Sequence, residues 1–275
     1  CVWATLTGRT TAQARSEGLS SFQLDATTWQ MGGQRALGGG WFLGGSLAYE
    51  EARLSSGDGL SRGQSEAGYG ALTAKYQTGA WLFSGALFGG VGQFDSQRYV
   101  TLPGFQAVAR GSPSLANAGG LLRAAYTLGQ EDFYLRPMVS LGAVHSRSGA
   151  YRESGAGLLN LDMAEASNTV AALTPAIEIG GRVALEHGIV ARVFANLGVS
   201  FLSDGGWRQE GRLVAAPAGT GSFTNTVHTD RAVGRFATGV QLFASERLEF
   251  RLQYDAEVSD HVTGHGGSLS FALRF

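Results

Sequence analysis

One cysteine, five prolines and a single lysine, Lys75, are all that the 275 residues hold of those three types. With Cys1 alone, neither an internal disulfide nor a multi-thiolate metal centre can form, and its place at the start reads as a boundary residue. Five prolines against 42 glycines with no three-residue period exclude a collagen-like or proline-rich low-complexity chain. Charge is scarce too: Asp, Glu, Lys and Arg make up 16% of the chain, whereas a soluble domain carries ~25%. The net charge is −1 and the basic residues are scattered, so nothing points to nucleic acid. A hydrophobic share of 44% excludes disorder. A folded chain with so little charge to coat a surface suits a membrane as its solvent.

A long hydrophobic run is also missing. The longest uncharged stretch, Gln77 to Phe94, holds five glycines and alternates Trp81, Phe83, Leu87 and Val91 against Ser84 and Gln93, which reads as a strand and not as a spanning helix. Its glycines do not form a phosphate-binding loop, since no Lys-Ser/Thr pair follows and no βαβ pattern surrounds them.

What the chain has in abundance is a period of two. From Leu248 to Val258 every even position is apolar and every odd one charged or amide, so a strand there carries one apolar and one polar face. The last segment repeats this, with Leu269, Phe271, Leu273 and Phe275 opposite Ser268, Ser270, Ala272 and Arg274. Ile189 to Phe201 and Phe133 to Leu141 alternate likewise, and further strands are expected at 1–9, 20–35, 40–53, 64–77, 81–95, 113–128, 169–185 and 226–244.

Five tight turns fall at 37–40, 78–80, 129–132, 186–188 and 245–247, and six longer polar connections at 10–19, 54–63, 96–112, 147–168, 204–225 and 259–263. This alternation predicts an all-β fold: a transmembrane antiparallel up-and-down β-barrel of 12 strands spanning 1–275, with short turns at one mouth and longer loops at the other. Hydrocarbon offers no hydrogen bonds, so only a closed sheet can cross it. Trp3, Trp41, Trp81 and Phe133 lie beside the short turns, where an aromatic interface girdle is expected. A soluble sandwich is the alternative, but strands of this length far exceed its usual ~5–6 residues.

Three stretches resemble one family. Gln30 to Tyr49 is similar to its strand–turn–strand segment ending in a Gly-rich strand and an aromatic; Tyr134-Leu135-Arg136-Pro137 with Tyr151 to Leu161 to its central strand and glutamate–glycine loop; and Ser268 to Phe275 to its terminal strand. Taken in order, they resemble the C-terminal translocator (β) domain of autotransporters, the type V secretion proteins of Gram-negative bacteria, over essentially the whole chain. The resemblance implies residence in the outer membrane, export of an N-terminal passenger to the cell surface, and assembly by the outer-membrane barrel machinery with periplasmic chaperones. That machinery would read Leu269, Phe271, Leu273 and Phe275. Family members usually carry a linker helix inside the pore, ahead of the first strand; here the chain opens directly on strand-like sequence, so helix and passenger are expected upstream of Cys1.

On the polar face, Arg136, Glu178, Arg182, Arg192 and Asn196 would line the lumen together with Arg235, Glu249, Arg251, Gln253, Asp255, Glu257 and Arg274. Opposite charges there can pair across strands and keep a wet interior, either as a passage or seat for polypeptide or simply as a solvated wall. The competing reading is a stand-alone porin or surface hydrolase using His228 near Asp230, or His261 near Asp260 and Ser259. Sequence neighbours point to opposite faces, so no catalytic residue is expected, and neither a metal nor a cofactor. His145 and His187 read as structural or solvent-exposed, while Glu178, Glu249 or Asp255 could assist a cut in a linker.

Overall fold

The computed structural model describes residues 1–275 apart from 16–19, 131, 186–188, 204–205, 218–219, 228–229, 244 and 246. Its strands are β1 (Val2–Gln13), β2 (Phe22–Gly38), β3 (Trp41–Ser56), β4 (Ser61–Thr78), β5 (Trp81–Leu102), β6 (Phe105–Gly111), β7 (Ser114–Tyr126), β8 (Leu128–Gly129) and β9 (Tyr134–Ser148), followed by β10 (Tyr151–Arg152), β11 (Leu161–Met163), β12 (Ala166–Ala184), β13 (Val190–Leu202), β14 (Trp207–Leu213), β15 (Ser222–Val227), β16 (Ala232–Phe243), β17 (Leu248–Val258) and β18 (Val262–Leu273).

Twelve of these (β1 to β5, β7, β9, β12, β13, β16, β17 and β18) pair antiparallel in that order, and β1 pairs with β18 from Val2↔Leu273 to Gln13↔Val262, which closes the barrel. Closure leaves no barrel edge unpaired, as the hydrocarbon requires. Among the described residues no helix is long and apolar enough to cross a membrane, so crossing falls to the strands.

The period-two pattern sets the faces. Leu252 pairs with Leu269 and Val240 on one side of the wall, while Arg251 pairs with Ser270 and Gln241 on the other. The buried apolar residues are few and most of them are alanine, whereas Leu47, Leu72, Leu87 and Val91 are each about 70% exposed on the outer wall. A sandwich would bury such side chains; an outer wall of this kind belongs in lipid. Inside, aromatic rings lie where a neighbouring strand has glycine. A methyl group on Gly90 would come within 2.2 Å of the Tyr69 ring, and one on Gly180 within 2.5 Å of the Tyr134 hydroxyl. Close backbone approach, and not turn geometry, explains these glycines.

Several connections expected to be irregular are ordered. β5 runs on to Leu102, turns at Pro103-Gly104 (Gly104 φ +75°) and returns as β6, so much of 96–112 is a hairpin standing above the barrel. The connections 147–168 and 204–225 contribute β10, β11, β14 and β15 to a separate four-stranded sheet. The strand expected over 226–244 begins at Ala232, because Thr226 and Val227 pair instead with Arg208 and Trp207 in that second sheet. The loop after β9 is fastened to the β5–β6 hairpin: Glu153, nearly buried, accepts from Arg98 (Nε–Oε1 3.1 Å, Nη2–Oε2 2.5 Å) and from the Leu161 amide (2.8 Å).

Candidate functional site

The inner wall gathers the polar side chains. On β9, β12 and β13, Oε1 of Glu178 accepts hydrogen bonds from the Tyr134 hydroxyl (2.7 Å), Arg136 Nη1 (3.1 Å) and Arg192 Nη2 (3.0 Å). Arg192 also donates to the Tyr134 oxygen, and both guanidinium groups lie against the Tyr134 ring, at 4.8 and 5.0 Å from its centroid. Strand register accounts for this cluster: Glu178 sits opposite Arg136 on one side and Asn196 on the other.

A second group climbs β17. Arg274 and Gln241 both bond Glu249; Arg251 donates to Gln253 (2.5 Å) and Gln253 to Asp255 (2.7 Å). These residues are two apart, so their side chains stack along one face. Arg251 also lies 4.5 Å over the Phe194 ring, and Arg182 and Arg274 each lie 5.6 Å from the Phe243 centroid. Higher up, Arg9 and Arg235 pair with Glu257, and Arg235 donates to Ser200 (2.6 Å), which bonds Thr174 (2.8 Å). Asn196 faces the same space beside Met138. The polar contacts thus run from strand to strand around a cavity of about 300 Å³ bordered by Arg9, Glu178, Asn196, Arg235, Arg251 and Asp255.

All twelve sequence-derived lumen residues lie on the inward side of this register, while Glu178, Glu249 and Asp255 are each engaged by hydrogen-bond donors. Inspection of the sequence missed Tyr134, Arg123, Lys75 and Arg9, although strand parity alone places them inward. Trp41, Trp81 and Phe133 are exposed at the short-turn ends; Trp41 lies tilted against Tyr76 (centroids 4.7 Å apart) and Trp81 meets Tyr126 edge-on (4.8 Å). Trp3 is a correction. Val2 and Leu6 take the outer face, so Trp3 turns inward with Thr5 and covers Gly32, and it is not part of the girdle. Leu269, Phe271, Leu273 and Phe275 are all exposed along the outer side of the last strand and its end.

At the loop side, Asp230 Oδ1 bonds His261 Nδ1 (2.7 Å) and Oδ2 accepts the His261 amide (2.8 Å). Burial raises the Asp230 carboxyl, but hydrogen bonds from Ser259 and His261 outweigh it and leave it lowered; the same contact raises the His261 imidazole. Histidine and serine both serve the aspartate, which makes a clamp and not a nucleophile–base pair. His228 and His187 lie outside the described residues, and His145 bonds Thr169 (2.9 Å). Among the described residues no group of three or more His, Cys, Asp or Glu is placed to hold a metal ion.

A family model described as "Autotransporter beta-domain" matches residues 2–255. The chain belongs to this family. In solved structures it is similar to the β-domain of the Bordetella autotransporter BrkA (16% identity, TM-score 0.71, covering 100% of this chain and 98% of that one). It is also similar to the translocator domain of NalP from Neisseria meningitidis (12%, 0.78, 100% and 88%) and to the transport unit of AIDA-I from Escherichia coli (12%, 0.54, 100% and 90%). No curated protein matches the sequence. The autotransporter β-domain described here is an outer-membrane translocator of a Gram-negative bacterium. Its short turns accordingly face the periplasm and its long loops the exterior.

Proposed function

We propose that this barrel passes its own N-terminal passenger to the cell surface as an extended chain and then seats the linker helix against the same inner wall. The observation that carries this reading is the continuous polar lining from Glu178 through Arg235 to Glu257 and Arg9, which an extended backbone or a helix can cross without desolvating its polar groups. Arg136, Arg182, Asn196, Glu249, Arg251, Gln253, Asp255 and Arg274 complete the lining. The outward face of the last strand, Leu269 to Phe275, is the recognition element for the barrel assembly machinery, with periplasmic chaperones delivering the unfolded chain. Asp230, which accepts from the ring and the amide of His261, serves this reading as a tie between two loops.

The test is passenger export from the full-length precursor carrying Arg235→Ala and Arg251→Ala together. A slowed appearance of passenger at the surface, at equal amounts of folded barrel, supports the reading. Unchanged export would reduce the charges to a passive solvated wall.

A further inference from the structure

Of the five prolines, Pro103, Pro113 and Pro217 lie between strands, and Pro137 sits just before Met138, where the β7–β9 ladder ends. Pro175 is different, because it lies inside β12, which has a barrel strand on each side. Proline has no N–H to give to a ladder and in other sheets keeps to edges and bulges. The β9 side of β12 is paired without a break from Ala166 to Gly180, so the interruption falls on the β13 side. There the pairing reaches Leu173↔Phe201 and resumes in the same register at Ala176↔Gly198, which leaves Thr174 and Pro175 unpaired opposite Ser200 and Val199. Apart from a register shift at the Ala36/Gly38 turn, the ladders between the other neighbouring barrel strands run unbroken among the described residues.

The interruption lies inside the apolar belt. Leu173 and Phe201 on one side of it, and Ile177 and Leu197 on the other, are exposed on the outer wall, where no water replaces a missing backbone bond. Side chains close the gap from the lumen. Thr174 and Ser200 share a hydroxyl bond (2.8 Å), Arg235 Nε donates to Ser200 (2.6 Å), and Ser200 is almost wholly buried. The wall is also thin here: the lumen cavity of about 300 Å³ and an outer groove of about 760 Å³ both border Met138, Ala176 and Gly198. Close packing normally resists movement, and at this spot it is relieved on both faces. A local rule broken this way, with a side-chain latch in its place, marks a functional element.

We propose that β12 and β13 form a latched seam, which parts at Pro175 so that the lumen widens around bulky segments of the passenger. The Arg235–Ser200–Thr174 bonds then draw it shut. This inference rests on the passenger crossing the lumen, and the experiment separates the two.

Thr174→Cys with Ser200→Cys, in a full-length precursor carrying Cys1→Ser, places two thiols directly opposite each other, within disulfide reach. Ser46→Cys with Ala71→Cys does the same on the unbroken β3–β4 ladder and serves as the control. Each is paired with the unaltered passenger and with one carrying a small helical domain that folds in the periplasm. With the seam oxidised, export of the helical domain should fall several-fold and recover in dithiothreitol, while the unaltered passenger is exported as before. The control disulfide should slow neither. Equal export of the helical domain with the seam locked overturns the seam, as does equal slowing by the control or a wild-type barrel that never passes the domain. Failure of the folded wild-type barrel to export even the unaltered passenger overturns translocation and the seam together. Independently of export, Pro175→Ala supplies the missing N–H and should slow hydrogen exchange of the Val199 and Ser200 amides several-fold; unchanged exchange also overturns the seam.

Discussion

Tyr134 donates its hydroxyl to Glu178 at 2.7 Å while the same oxygen accepts from Arg192 at 2.6 Å, so one phenol joins a carboxylate to a guanidinium across three strands. The contact links the end of β9 nearest the periplasm to β12 and β13, and it sits where Gly180 leaves space for the ring.

Tyr134→Phe keeps the ring over Gly180 and removes both hydrogen bonds. A loss of about 1.5–2 kcal/mol is expected, the low end of the range for hydrogen bonds to charged groups. Glu178→Ala should cost more, about 3 kcal/mol, because it leaves Arg136 and Arg192 facing each other without their anion. The temperature at which the compact barrel band disappears in heat-modifiability gels ranks the variants, with wild type highest and Glu178→Ala lowest.

Gly90→Ala should destabilise the barrel by about 1–3 kcal/mol through overpacking against Tyr69. The added methyl would stand 2.2 Å from that ring, and the Gly90 backbone is ordinary extended strand, so the effect is steric. Pairing it with Tyr69→Ala should recover part of the loss, which a double-mutant cycle measures directly.

The alternation of β17 and β18 was fully legible in the sequence, since a single face in water and a single face in lipid impose period two without exceptions. Trp3 was legible in principle as well: Val2, Ala4 and Leu6 mark the lipid face, which leaves Trp3 with Thr5, Thr7 and Arg9. Proximity to a short turn, weighed without parity, misplaced it. The second sheet was not legible. β10 and β11 are two and three residues long, too short for any period to show, and β11 finds its partner β14 some fifty residues away. Asp230 and His261 are 31 residues apart, and the sequence drew attention to neighbours instead.

The Asp230–His261 clamp should depend on pH in both directions. His261 titrates above its ordinary value, so its contribution is complete below about pH 6.5 and is lost as pH rises through the raised value. Asp230 titrates below its ordinary value, so its contribution is complete above about pH 4 and is lost as pH falls through the lowered value. The clamp between the segment before β16 and the β17–β18 turn is therefore strongest from about pH 4 to 6.5. NMR titration of the His261 ring should give a raised midpoint that Asp230→Asn returns toward the ordinary histidine value; an unmoved midpoint would refute the clamp.

Glu153→Gln should release the loop after β9. It weakens the paired contact with Arg98 while leaving the side chain almost the same size, so packing is spared. Faster hydrogen exchange across 149–165, with unchanged exchange in β17 and β18, is the expected pattern. Equal exchange in variant and wild type would mean that the β5–β6 hairpin holds the loop by other contacts.

The account depends most on which face of each strand meets lipid, and spin labels placed one at a time along Leu248 to Val258 of the reconstituted barrel measure that directly, with Cys1 replaced by serine. Even positions should be accessible to oxygen and odd positions to a water-soluble nickel chelate, alternating without a break. Uniform accessibility to the chelate, or a period near 3.6, would contradict the barrel and the translocation built on it.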